Sequence, residues 1–161
     1  MLPVQIRPDE ALAEVREFGA RLQRGLKTLG DLGDITVGAT PKEAIYEEDK
    51  LVLYRFRAAH ERPDAIPVLI IYALVNRPYM VDLQEDRSIV RGLLHGGLDV
   101  YLIDWGYPDA ADRYLTLDDY INGYIDRCVD VIRRRRGVDA VNILGICQGG
   151  TFSLCYSAIH P

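Results

Sequence analysis

The 161-residue sequence predicts an α/β fold, a parallel sheet with helices flanking it, on three observations. A continuous apolar run of strand length stands at Pro67–Tyr72, and further buried strands are read at Asp99–Ile103 and Val141–Leu144. The Pro67–Tyr72 run does not alternate polar and apolar residues, which is the pattern of a strand covered by helices on both faces. Stretches with apolar residues at steps of three and four lie between and after these strands, so strand and helix alternate, as in right-handed parallel crossovers. A glycine-rich turn, Gly145-Ile-Cys-Gln-Gly-Gly150, joins the last run to a helical segment.

Pro8 and Asp9 open an amphipathic helix in which Leu12, Val15, Phe18, Leu22, Leu26 and Leu29 form one stripe, with Gly30 and Gly33 ending it. The stripe is expected to pack on its own domain, with a partner surface as the alternative. Residues 1–33 are assigned to this helix and 34–161 to the domain that follows. Ile35–Thr40 reads as a loop or short strand. Glu43–Tyr46 and Lys50–Arg57 read as a hairpin turning through Glu47-Glu48-Asp49, since Val52, Tyr54 and Phe56 alternate. A polar loop from His60 leads into the Pro67–Tyr72 strand. Asp82–His95 reads as a helix with Ile89, Val90, Leu93 and Leu94 inward, ended by Gly96-Gly97. Asp99–Ile103 is the next strand, closed by Asp104-Trp105-Gly106. Thr116–Arg136 reads as the longest helix, with Thr116 and Asp119 as a near capping box. Its expected inward stripe is Tyr120, Tyr124, Cys128, Val131 and Ile132, with Ile121 and Ile125 beside it. Arg133–Arg136 complement the carbonyl end of its dipole. Val141–Leu144 is a strand and Thr151–Ile159 a helix.

A net charge of −5 argues against a nucleic-acid partner, which selects a basic face. No apolar run is long enough for a transmembrane segment, and the first residues lack the charged start and apolar core of a secretory signal. Cys128, Cys147 and Cys155 form no CxxC pair, so neither a metal site nor a disulfide framework is expected. Reduced thiols fit a cytoplasmic protein.

The chemistry concentrates at Gly145-Ile146-Cys147-Gln148-Gly149, a G-x-C-x-G turn between strand and helix. It has the form of the G-x-S-x-G nucleophile elbow of the α/β-hydrolase fold, with sulfur for oxygen. The nucleophile must project from a tight turn, so Gly145 and Gly149, two positions away on either side, must lack a Cβ. The helix that follows aims its amino end at Cys147 and favours thiolate. The Gln148 N–H is a candidate oxyanion donor. A second donor is expected in the loop after the Pro67–Tyr72 strand, from the Val75 N–H, with Asn76 in reserve. Cys128 and Cys155 read as structural residues within helices.

A cysteine nucleophile needs a base and an acid, which in this fold follow it in the chain. Only 14 residues follow Cys147, none of them Asp or Glu. His160 lies thirteen residues on, about 20 Å away along a helix. His60, in a polar loop, and His95, at a helix end before the wrong strand, do not suit the role. Residues 34–161 are therefore expected to be the N-terminal portion of a mostly parallel α/β-hydrolase sheet, incomplete as a catalytic domain.

Four stretches together resemble the poly(3-hydroxyalkanoate) synthases: Lys50–Phe56, Val68–Gln84 with its Asn76-Arg-Pro-Tyr-Met-Val-Asp82, Asp99–Gly106 and the Gly145–Gly150 elbow. The short segment before the first apolar strand is similar to that of the class III catalytic subunit, which works with a second subunit, PhaE. The resemblance implies an acyltransferase that polymerises 3-hydroxyacyl-CoA, expected to be 3-hydroxybutyryl-CoA, at the surface of polyester granules. The growing polyester would be held on Cys147 as a thioester, with coenzyme A entering only as the substrate's carrier and no resident cofactor. The family's aspartate and histidine would lie beyond residue 161. Two other readings stand beside it: a cysteine hydrolase of the dienelactone hydrolase type, and a truncated docking module without activity.

Overall fold

The computed structural model describes residues 8–31, 37–58 and 64–161, and the chain forms two units, Met1–Thr36 and Val37–Pro161. The first unit contributes one helix, α1 (Pro8–Asp31). It runs through Gly30; Gly33 lies outside the described residues. At 24 residues it is longer than the 117–136 helix, contrary to expectation. None of its residues is buried, and all six apolar residues of the stripe are more than half exposed.

In the second unit, β1 (Lys42–Glu48) and β2 (Leu51–Phe56) form the expected hairpin. Its turn is tighter than predicted: Glu47 and Glu48 stay paired in β1, and Asp49 takes a positive φ of 52°. Of the stretch at 35–40, residues 35 and 36 lie outside the described residues, as does His60. β3 (Pro67–Ile71) is buried throughout. β4 (Asp82–Gln84) and β5 (Arg87–Ser88) pair as a small antiparallel hairpin, where the sequence suggested a helix. Only Ile89–His95, α2, is helical. The Ser88 hydroxyl accepts from the Arg91 N–H at 3.0 Å and so caps α2 at that point. Val90 turns inward, but Ile89 is exposed and Leu93 and Leu94 are half-buried.

β6 (Asp99–Asp104) lies in the centre of the sheet, whose order is β1-β2-β6-β3-β7. β7 is Asn142–Gly145. β1–β2 and β2–β6 pair antiparallel, while β6–β3 and β3–β7 pair parallel. The parallel character thus belongs to the half of the sheet that carries the glycine turn. Leu69, Ile70, Ile71 and Val100–Ile103 have no exposed surface, as their uninterrupted apolar runs required.

A single helical span from residue 117 to 136 packs across this sheet. Its first part, Asp119–Ile125, is wound as a π-helix, and its second, α3, is Asp126–Arg136. Reciprocal hydrogen bonds between Thr116 and Asp119 cap it as expected. The core face is Ile121, Tyr124, Ile125, Cys128, Val129 and Ile132: Ile121 and Ile125, expected beside the stripe, lie within it, and Val129 joins them. Tyr120 and Val131, placed inward by the regular 3.6-residue period, are only half-buried. Gly137 ends α3 in the left-handed conformation. The arginines before it are ion-paired as well as dipole-aligned: Arg135 meets Glu43 at 2.7 Å, and Arg136 meets buried Asp99 at 3.2 Å. The last helix, α4 (Gln148–Ile159), begins three residues earlier than expected, immediately after Cys147.

Candidate active site at the glycine turn

Gly145 is the last residue of β7 and pairs with Ile71, the last residue of β3. The chain then reverses within two residues, since Ile146 N–H donates to Ile71 O at 2.8 Å and α4 starts at Gln148. Cys147 takes up the reversal with φ 56° and ψ −125°, a conformation that L-residues rarely adopt. Such local strain persists only where the surroundings enforce it. Here they do. A Cβ on Gly149 would lie 2.5 Å from the carbonyl carbon of Ile71 and 2.9 Å from the Tyr72 Cα, with Ile71 O nearer still. A Cβ on Gly145 would lie 2.5 Å from the Gly150 Cα and 2.6 Å from the Ser153 hydroxyl. The helix is pressed against two strand ends, and glycine alone fits at both positions.

The consequence is an exposed thiol at the carboxyl edge of the parallel strands, at the amino end of a twelve-residue helix. Gln148 is the first residue of α4, so its N–H has no acceptor within the helix and faces outward. The loop after β3 is tied to this point, because the Leu74 N–H donates to the Gln148 side chain at 3.1 Å. The Val75 N–H has no partner among the described residues, whereas the Asn76 N–H is taken by Ala73 O at 2.9 Å. The reserve donor is therefore occupied and Val75 is available.

The other cysteines differ from Cys147 and from each other. Cys128 is fully buried, and burial pushes its thiol up to about 12. Cys155 was expected to be structural but is exposed on α4, beside exposed Leu154. It has neither a glycine turn nor a helix end.

His160 caps the far end of α4, stacked on Tyr156 with ring centroids 4.6 Å apart and bonded to Asn122 at 2.9 Å. The length of α4 separates it from Cys147. His95 ends α2, which leads into the amino end of β6 and so lies at the opposite edge of the sheet from the elbow.

The sequence reading missed a buried acid. Asp82 accepts from the Thr40 N–H at 2.9 Å, the Thr40 hydroxyl at 2.7 Å and the Ser88 hydroxyl at 2.6 Å. Burial opposes its ionisation, but the hydrogen bonds from Ser88 and Thr40 and the charge of Arg91 outweigh it and hold the carboxyl below its ordinary value. This knot anchors the far end of the segment that begins with the candidate oxyanion loop. Its sequence signal was Ser88, a helix-capping residue inside the supposed helix. The near end is fixed by the Trp105 indole N–H, which donates to Tyr72 O at 2.9 Å.

Comparison with known proteins follows this geometry closely. Residues 66–161 match the model of the alpha/beta hydrolase fold, and residues 18–93 match that of the poly-beta-hydroxybutyrate polymerase (PhaC) N-terminus. The poly(3-hydroxyalkanoate) polymerase subunit PhaC of Allochromatium vinosum is 61% identical over the whole of this chain and 46% of its own length. That of Synechocystis is 57% identical over 100% of this chain and 44% of its own length. That of Cupriavidus necator is 33% identical over 86% of this chain and 24% of its own. The chain thus spans about half or less of the length of these curated relatives. Among solved structures, a lipase-like protein of Sulfolobus solfataricus superposes with a TM-score of 0.50 at 18% identity, covering 80% of this chain and 47% of that one.

Proposed function

Since the chain belongs to the PhaC poly(3-hydroxyalkanoate) polymerase subunits and to the alpha/beta hydrolase fold family, we propose that it carries the nucleophile of an acyltransferase, Cys147. The observation that supports this most strongly is the backbone of Cys147, held at φ 56° by two glycines that nothing larger can replace. In the proposed step the Cys147 thiolate attacks the carbonyl carbon of a 3-hydroxyacyl-CoA. A carbon–sulfur bond to Cys147 forms, the bond to coenzyme A breaks, and the coenzyme A thiolate leaves and is protonated. One thioester replaces another, so little free energy is lost, a reason to use sulfur. The N–H groups of Gln148 and Val75 would hold the oxyanion of the tetrahedral intermediate. The hydroxyl of a second 3-hydroxyacyl unit then gives its proton to a base and attacks the Cys147 thioester; an ester bond forms, the carbon–sulfur bond breaks and the Cys147 thiolate is released.

The acid and base for these transfers would come from outside the residues described, since neither His95 nor His160 stands at the elbow. The substrate would be 3-hydroxybutyryl-CoA, and the setting the granule surface, with a PhaE-type second subunit. In the full-length protein, incubation with 3-hydroxybutyryl-CoA followed by peptide mass spectrometry is expected to show the acyl adduct on Cys147. Cys147→Ala is expected to abolish polymer growth, and Cys155→Ala to keep most of it. An adduct on Cys128 or Cys155 with Cys147 bare would refute the assignment. Release of free 3-hydroxybutyrate in place of polymer would indicate a hydrolase.

A further inference from the structure

Arg77 stands out among the half-buried arginines of the described residues. Arg55 and Arg136 face Asp99, at 2.8 and 3.2 Å, and Arg91 faces Glu85 at 2.7 Å. Arg77 makes no ion pair with a carboxylate among the described residues. Its guanidinium carbon instead lies 3.7 Å from the centroid of the Tyr107 ring, and its one polar contact is a long one, 3.5 Å, to Asn76 O. Most of the fork of donors on this cation therefore has no acceptor among the described residues.

Its position is that of a ligand contact. Arg77 lies in the loop after β3, three residues beyond the Leu74 N–H that binds Gln148 of the elbow. Tyr107 lies in the loop after β6, which neighbours β3 in the parallel half of the sheet. The elbow follows β7 on the other side of β3. All three are at the carboxyl edge, where open α/β sheets bind their ligands. At roughly 4.8 Å per strand, the Arg77–Tyr107 pair sits above strands one and two places from the one that carries Cys147. Asp104, the last residue of β6, accepts from the Tyr72 hydroxyl at 3.3 Å and the Gly106 N–H at 3.0 Å. The Tyr107 face holds the guanidinium in place by a cation–π contact and leaves its edge free. A planar fork with open donors suits a phosphate, which it can grip through two parallel hydrogen bonds.

We propose that Arg77, held against Tyr107, binds a phosphate of the acyl carrier and makes the site select coenzyme A thioesters over thioesters without phosphates. The inference rests on the acyltransferase reading of Cys147. The carrier has two phosphate sources, its 3′-phosphate and its pyrophosphate, and both offer the same oxygens to the fork.

The test uses the full-length protein and the Arg77→Gln, Arg77→Lys and Tyr107→Leu variants. Each is assayed with 3-hydroxybutyryl-CoA, with its dephospho-CoA analogue and with the N-acetylcysteamine thioester, which has no phosphate. Arg77→Gln is expected to lower kcat/KM for 3-hydroxybutyryl-CoA about tenfold or more, through KM, and to leave the N-acetylcysteamine thioester unchanged. Arg77→Lys is expected to recover part of the loss and Tyr107→Leu to show a smaller one. If Arg77→Gln no longer distinguishes CoA from dephospho-CoA, the partner is the 3′-phosphate; if it still does, the pyrophosphate. Equal losses on all three thioesters, or none on the CoA thioester, would overturn the proposal. If the protein turns over no thioester, the acyltransferase reading fails, and calorimetric titration with CoA alone decides this one. About tenfold weaker binding by Arg77→Gln than by wild type supports it, and equal binding refutes it.

Discussion

Gly149 and Gly150 are adjacent, both in the first turn of α4, and replacing each with alanine is expected to have opposite effects. At Gly149 the new methyl would lie 2.5 Å from the Ile71 carbonyl carbon and 2.9 Å from the Tyr72 Cα, against an ordinary separation of 3.4 Å or more. Each of these is a backbone atom of a strand end hydrogen-bonded to neighbours on both sides, so no side chain can swing aside. Either α4 or the end of β3 must move by about 1 Å. Overpacking of this kind costs about 1–3 kcal/mol. The same movement strains the 2.8 Å bond from Ile146 N–H to Ile71 O, which closes the elbow, and an unmet buried acceptor adds about 1–3 kcal/mol. The sum is about 2–6 kcal/mol. At Gly150 the nearest atom to a new methyl is Gly145 O at 3.6 Å, an ordinary contact. There alanine exchanges the poorer helix former for the best, and about 0.5–1 kcal/mol of stability is gained.

Urea denaturation of the full-length protein, followed by circular dichroism, measures both effects. Acylation of Cys147, followed by mass spectrometry, measures the chemical consequence. A displacement of 1 Å at a reacting group costs about a hundredfold in rate, so Gly149→Ala is expected to lose at least that, while Gly150→Ala retains wild-type acylation. A Gly149→Ala protein within about 1 kcal/mol of wild type would refute the reasoning. So would a Gly150→Ala protein destabilised by more than about 2 kcal/mol, because the contacts at the two positions would then not be what separates them.

Three further outcomes follow from the same geometry. Iodoacetamide is expected to alkylate Cys147 in the native protein and Cys128 only after denaturation, since Cys128 is buried with its thiol pushed up to about 12; peptide mapping distinguishes them. His160→Ala is expected to change kcat less than twofold, whereas removal of a required base costs about 10²–10⁴; a loss of that size would place His160 at the elbow. The hydrogen bonds from Ser88 and Thr40 hold the Asp82 carboxyl below its ordinary value, so its contribution is complete above the usual carboxylate range and is lost as pH falls through the lower folded value. The urea midpoint of wild type is expected to fall more steeply than that of Asp82→Asn as pH drops from 5 to 3, and parallel curves would refute this.

What the sequence disclosed, and what it did not, divides along a physical line. Strands β3 and β6 were legible because a strand buried on both faces must be apolar at every position, and the elbow because a reversal this tight admits only glycine at 145 and 149. Both are local requirements, written in the residues that satisfy them. The errors lie where a distant partner decides. Asp82–Ser88 has the composition of an exposed helix turn until Thr40, forty-two residues earlier in the chain, supplies two donors to Asp82; with that acid fixed, the hairpin wins and the helix starts at Ser88. In the 117–136 helix, Val129 lies in the core while Tyr120 and Val131 are only half-buried, a departure from the stripe expected of them. Arg77 belongs to the same class. Nothing in Asn76-Arg77-Pro78 marks it as more than a loop cation; its meaning comes from Tyr107, thirty residues on, and from carboxylates that are elsewhere engaged. On the proposed reading, function in this fold is divided between a nucleophile that sequence reasoning can find, because its turn is locally constrained, and selectivity that it cannot, because the residues proposed for it meet only when β6 inserts between β2 and β3.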